Sequence, residues 1–227
     1  MQVKVRINLK RNIVGKEDKK HSSYYYQFDR NKDVNNRLYN PLMPVEMSID
    51  FGYRMPAILF FQVYAVGQKG VPHINVIDEI VHEPNLTVNE LAEKVKRKGY
   101  TINRTFGDPA GYQVAASTGI GEAELFRQAT GYKTFAVRDK VSRSIASGVS
   151  HVRNFFENSA GLRRIHIDKK CIGLMEDLEK YRYPEHKDND LKNIPYKDGR
   201  SGHSMDAFRY YFINRFPIKK SKYRTSK

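Results

Sequence analysis

Between Val45 and Val81 the chain alternates long apolar runs with turn formers. Val45 to Phe51, Ala57 to Val66 and His73 to Val81 are rich in Ile, Val and Phe, which predicts three strands. Gly67, Gln68, Lys69 and Gly70 separate the last two and predict a hairpin. The period then changes. Val88 to Lys98 has helical spacing, with Thr87 and Glu90 set as a capping box and Gly99 as the stop. Asn103 to Asp108 and Lys133 to Val137 predict short strands. Ser142 opens a helix reaching about Glu157, whose apolar stripe is Ile145, Val149, Val152 and Phe156. Leu162 to Ile167 is strand-like, Asp168 can cap a helix running to Tyr181, and His203 to Arg215 predicts a last helix ended by Pro217. Three consecutive strands followed by helices interleaved with short strands predict an α/β domain, a mixed central sheet with helices on both faces.

The rest of the chain is less regular. Residues 1–44 are polar, with possible strands at Val3 to Leu9 and Ser23 to Phe28, and are expected to form an arm or linker. The domain proper is expected over 45–216, with a long charged loop from Pro184 to Gly202, and 217–227 as a basic tail. A chain of 227 residues with 40% hydrophobic composition can bury one sizeable core. It contains no apolar run of the roughly 18 residues a membrane helix requires and no apolar signal-peptide core, so a soluble, non-secreted protein without a membrane partner is expected. The single cysteine, Cys171, cannot close an internal disulfide, and its spacing with Leu174 and Leu178 predicts a core position. The net charge of +15 changes the picture more. Such an excess attracts a polyanion, and because the basic residues are scattered along the chain rather than gathered on one amphipathic helix, nucleic acid fits better than a membrane surface.

Against this basic background three acids occupy apolar company. Asp50 ends the strand Met47-Ser48-Ile49-Asp50-Phe51-Gly52, where an unpaired charge costs several kcal/mol unless a cation compensates it; the bland alternative is an Asp that opens the Gly52 turn. Asp108 ends a strand and precedes Pro109-Ala110-Gly111, which is also ordinary turn chemistry. Asp206 shares one helix face with His203 and Tyr210, beside Ala207 and Ile213, and should point at something cationic; alternatively Asp206 and His203 serve the helix N-terminal dipole. Carboxylates delivered to one point from separate elements are what a two-metal nuclease needs, because two hard divalent cations about 4 Å apart take oxygen ligands.

Together, Ser48-Ile49-Asp50-Phe51-Gly52, Phe106-Gly107-Asp108-Pro109-Ala110-Gly111 and His203-Ser204-Met205-Asp206-Ala207-Phe208-Arg209-Tyr210 resemble the nuclease domain of tailed-phage large terminases. Ile165-His166-Ile167-Asp168 and the upstream Tyr24-Tyr25-Tyr26-Gln27-Phe28-Asp29-Arg30 extend the resemblance over roughly Ser22 to Phe216. It implies the RNase H-like fold shared with RuvC resolvases. It further implies that Asp50 bridges two Mg²⁺ or Mn²⁺ ions, that Asp108 and Asp206 each help to hold one, and that His203 contacts a phosphate or assists proton transfer. The implied activity is cutting of concatemeric double-stranded DNA at the start and end of packaging, in the host-cell cytoplasm. The implied partners are that DNA, the terminase ATPase domain, the small terminase subunit and the portal. Arg54, Lys197 and Arg200 adjoin the candidate site and are expected to approach phosphates; Asp78, Glu79 and Asp198 are candidate outer acids, with ordinary exposed acids the simpler reading.

Three rivals stand beside this expectation. Asp168-Lys169-Lys170 has the Asp-x-Lys form of restriction-type nucleases, although leaving a strand for a helix suits a capping role. A Holliday-junction resolvase of the same fold would use similar carboxylates. A basic module without catalysis would bind DNA through charge alone. No Gly-x-x-x-x-Gly-Lys-Ser/Thr loop occurs, so the ATPase is expected to lie outside this chain.

Overall fold

In this computed structural model the described residues are 23–36, 38–114, 119–136, 144–181 and 201–218. The possible strand from Val3 to Leu9, the loop from Pro184 to Arg200 with Lys197, Asp198 and Arg200, and the tail from Lys219 lie outside them. A short helix α1 (Arg30–Asp33) leads into β1 (Val34–Asn35). Then come β2 (Val45–Asp50), β3 (Ala57–Val66), β4 (Val71–Ile80), α2 (Val88–Arg97), β5 (Ile102–Gly107), a 3-10 turn (Pro109–Tyr112), α3 (Glu122–Thr130) and β6 (Thr134–Phe135). The chain continues through α4 (Ile145–Phe156), β7 (Ile165–Asp168), α5 (Ile172–Lys180) and α6 (Ser201–Arg215).

The strands form one sheet of seven in the order β1-β7-β4-β3-β2-β5-β6. β3 pairs antiparallel with both β2 and β4, while every other pairing is parallel. All strands but β3 therefore run the same way, and the carboxyl ends of β2, β4, β5 and β7 share one edge. One face carries α4, α5 and α6 over a core that includes Phe61, Val152, Phe156, Leu174, Leu178, Phe208 and Phe212. The other carries α2 and α3, with Met47, Ile49, Phe60, Leu91 and Phe126 between them and the sheet. The mixed sheet covered on both faces matches the expectation, as do the hairpin, with left-handed Gly67 and Gly70, and the Thr87–Glu90 capping box. Cys171 is fully buried.

Four features differ from the sequence expectation. Ser23 to Phe28 folds as turns and not as a strand, because the neighbouring Tyr24 and Tyr25 are both buried, against Tyr181, Phe156 and Phe208, whereas strand alternation would expose one of them. Tyr24, Tyr25 and Phe28 of the expected arm are thus part of the core, and β1 pairs with β7. Helix α3 has only Ala123 and Phe126 fully buried, too sparse an apolar pattern to stand out between Gly121 and Gly131. Asp168 does not cap α5; its carboxylate accepts from the backbone N–H of Leu38 and Lys170, and Cys171 is the N-cap residue.

The amino end of α5 is satisfied from another element. Glu79 of β4 accepts the N–H groups of Gly173 and Leu174 at 2.8 Å each, a negative charge at the positive end of the helix. The approach requires glycine at 173, since a Cβ there would lie 2.5 Å from Val81 Cγ2 and 3.2 Å from Glu79 Oε1. Gly173→Ala is expected to destabilise the protein by about 1–3 kcal/mol, read from the urea midpoint. An unchanged midpoint would refute this account of the contact.

Candidate active site at the carboxyl edge of the sheet

Strand β2 reads Val-Glu-Met-Ser-Ile-Asp, and all six residues are buried. Period two sends Val45, Met47 and Ile49 into the core beneath α2 and α3, so Glu46, Ser48 and Asp50 face α6. At the carboxyl edge Asp50 is 8% exposed and its Oδ2 lies 2.6 Å from His203 Nδ1 in the first turn of α6. Asp108 leaves β5, caps the 3-10 turn through Ala110 N–H at 3.1 Å, and accepts the Tyr210 hydroxyl at 3.0 Å. Asp206 Oδ1 accepts from Arg209 one turn on, at 2.7 Å. Three carboxylates from β2, β5 and α6 thus each meet a side-chain partner on α6.

The electrostatics follow from crowding under low solvent access. Burial, offset in part by the His203 bond and reinforced by the charges of Asp206 and Asp108, raises the Asp50 carboxyl to about 6. Burial and the charges of Asp206, Asp50 and Asp108 likewise raise the Tyr210 hydroxyl, so it remains a donor. For Arg209 burial acts downward, but the neighbouring Asp206 outweighs it and the guanidinium is held charged. Arg209 also lies against Gly148 of α4, where a Cβ would sit 2.7 Å from its Cδ. That glycine lets the guanidinium stay between α4 and α6.

The structure brings Asp50, Asp108, Asp206 and His203 to one region, and it supplies the cation that the Asp206 environment calls for: Arg209. Three carboxylates are the oxygen donors a hard divalent cation takes. As they stand, however, the side chains turn toward His203, Tyr210 and Arg209. Among the described residues no group of three or more His, Cys, Asp or Glu is gathered closely enough to hold an ion. Asp78 and Glu79, the described outer acids, have other partners. Asp78 pairs with Lys98 at 2.9 Å, Tyr100 at 2.7 Å and Lys170 at 3.4 Å, and Glu79 caps α5. With Asp168 on backbone amides and Lys170 on Asp78, the Asp-x-Lys triplet is structural. Arg54 is exposed in the loop after β2. Sequence reasoning missed the donor roles of Arg209 and Tyr210, although their spacing of three and four residues from Asp206 is the signal that reveals them.

No family model matches the sequence, and no curated protein does. Solved structures do. The large terminase of a thermophilic bacteriophage superposes with a TM-score of 0.62 at 18% identity, over 85% of this chain and 45% of that one. The P22 large terminase nuclease domain gives 0.61 at 16% identity, over 84% and 90%. The large terminase nuclease domain of bacteriophage SPP1, solved with bound Mn, gives 0.53 at 14%, over 79% and 93%. The chain therefore has the fold of large terminase nuclease domains, and it spans 45% of the length of the thermophilic phage's protein. Among the described residues no helix is long and apolar enough to cross a membrane.

The raised Asp50 carboxyl makes a stability prediction for metal-free protein. A folded-state value of about 6 against 3.8 means that this group's contribution is fully present below about pH 4 and lost as pH rises through about 6. Asp50→Asn, neutral throughout, should match wild type near pH 4 and exceed it near pH 8, by up to roughly 3 kcal/mol. Urea unfolding in EDTA at the two pH values checks this; a difference that does not grow with pH would contradict it.

Proposed function

We propose that this chain is the nuclease part of a viral genome-packaging terminase, a metal-dependent endonuclease that hydrolyses phosphodiester bonds of double-stranded DNA. The observation that carries the reading is the meeting of Asp50, Asp108 and Asp206 beside His203 on a sheet with the fold of large terminase nuclease domains. An acid raised by burial and by two further acids is a site built for added positive charge, and in a chain of net charge +15 it is not explained by affinity for phosphates, which such acids repel. Mn in the SPP1 relative supports a divalent cation in this role.

Asp50, Asp108 and Asp206 would hold Mg²⁺ or Mn²⁺, two ions in the active complex. Ions of this kind supply activation of water and neutralisation of the leaving oxygen. The residues contribute orientation and charge. Asp50 and His203 keep a short bond between strand and helix, and the imidazole Nε2 is the atom that would meet a phosphate oxygen or take a proton. Tyr210 orients Asp108, and Arg209 fixes Asp206. Arg54, with Lys197 and Arg200, would contact phosphates flanking the scissile bond. The DNA concatemer, the ATPase domain, the small subunit and the portal are the partners this function entails.

Plasmid incubated with Mn²⁺ or Mg²⁺ is expected to be nicked or linearised with little sequence preference, and to stay intact in EDTA. Asp50→Asn, Asp108→Asn and Asp206→Asn should each abolish cutting with the fold retained. Full activity in two of the three variants, or cutting in EDTA, would refute the site. A non-catalytic binder would never cut, and its Asp50→Asn form would bind DNA at least as well. Replacing Arg54, Lys197 and Arg200 together with alanine should weaken binding and flatten its salt dependence, and an unchanged salt slope counts against the phosphate assignment.

A further inference from the structure

His203 and Asp206 both sit near the start of α6, and what holds that start in place is a separate buried cluster. Asp177 of α5 is 1% exposed. Its Oδ2 lies 2.7 Å from His82 Nε2 and accepts the hydroxyl of Ser204. His82 follows β4 at φ 60, in the left-handed region that a non-glycine residue rarely adopts, and from there its ring reaches α5. Gly173 leaves the space, since a Cβ there would lie 3.2 Å from His82 Cε1. Ser204 adjoins His203. One carboxylate therefore joins the end of β4, the body of α5 and the first turn of α6.

The cluster holds the residue types of a hydrolase triad in the wrong order. In a triad the imidazole stands between hydroxyl and carboxylate and takes the hydroxyl proton; here the carboxylate stands in the middle, bonded to the imidazole on one side and the hydroxyl on the other. The arrangement is suited to holding position. A helix turns about 100° per residue, so a small rotation of the first turn of α6 carries His203 off Asp50, which its Nδ1 reaches at 2.6 Å. We propose that Asp177, with His82 and Ser204, is a positioning cluster that fixes the first turn of α6 and thereby holds His203 on Asp50. The activity arm of the test rests on the nuclease reading; the spectroscopic arm does not.

The test compares the full chain with Ser204→Ala, Ser204→Thr and Asp177→Asn. Nitrogen-15 NMR of the histidine side chains, in EDTA, reads the His203 Nδ1 hydrogen bond. That signal is expected to be lost in Ser204→Ala and Asp177→Asn and retained in Ser204→Thr, which keeps the hydroxyl. With Mn²⁺ and plasmid, kcat should fall about tenfold to a hundredfold in Ser204→Ala while KM for DNA stays within about twofold, and Thr should restore it. If Asp177→Asn fails to fold, Ser204→Ala decides alone. An unchanged His203 signal in Ser204→Ala overturns the proposal whatever the activity does. If wild type cuts no DNA, the nuclease reading fails and the NMR result decides the positioning role by itself.

Discussion

The structure depends on how α6 lies against β2. The two run antiparallel, with His203 at Asp50 and, at the opposite end, Tyr211 and Arg215 at Glu46. From Glu46 to Asp50 a strand advances about 13 Å, and from His203 to Tyr211 a helix rises about 12 Å, so the two acids and their two sets of donors stay in register. This match lets a central strand carry two buried carboxylates. Either one without its donors would cost several kcal/mol.

The same geometry explains why one helix serves the whole site. Because β3 alone runs against the others, the ends of β2 and β5 emerge side by side, bringing Asp50 and Asp108 to one edge. Successive turns of α6 then present His203, Asp206 with Arg209, and Tyr210 to that edge. Glu46 anchors the far end through the Tyr211 hydroxyl at 2.7 Å and the Arg215 Nε at 2.9 Å, and the Tyr211 ring stacks on Phe61 at 3.6 Å between centroids. Asp177 anchors the near end through Ser204. A helix held at both ends cannot slide by a residue without breaking both anchors.

Much of this was legible in the chain, and the limits are physical. Strands β2 to β4 announce themselves because a central sheet demands apolar runs, and Thr87 to Gly99 shows its helix by its caps. The alternation Val45-Glu46-Met47-Ser48-Ile49-Asp50 also assigns Asp50 to a face, which makes its burial readable. Tyr24 and Tyr25 mislead because consecutive aromatics look like a strand, yet they fill a core corner from a turn. Asp168 misleads because an Asp before a helix looks like a cap, while the Glu79 carboxylate that serves the amino end of α5 comes from residues far back in the sequence. The Asp177, His82 and Ser204 cluster was not legible at all: its members are 95 and 27 residues apart, and only the packing of α5 against α6 and the end of β4 joins them.

The arrangement also separates two kinds of buried acid. Glu46, Asp78 and Asp177 each meet cationic or hydroxyl donors in fixed structural pairs supplied by the protein itself. Asp50 differs. Burial and two further carboxylates, Asp206 and Asp108, press on it, so its ionisation is opposed by the fold that surrounds it. An acid kept in that state weakens the protein near neutral pH, and a chain under selection for stability alone would exchange it for a neutral residue. Its presence on the central strand is explained if the unfavourable charge is relieved by something the chain alone does not contain, such as the cation proposed for this site.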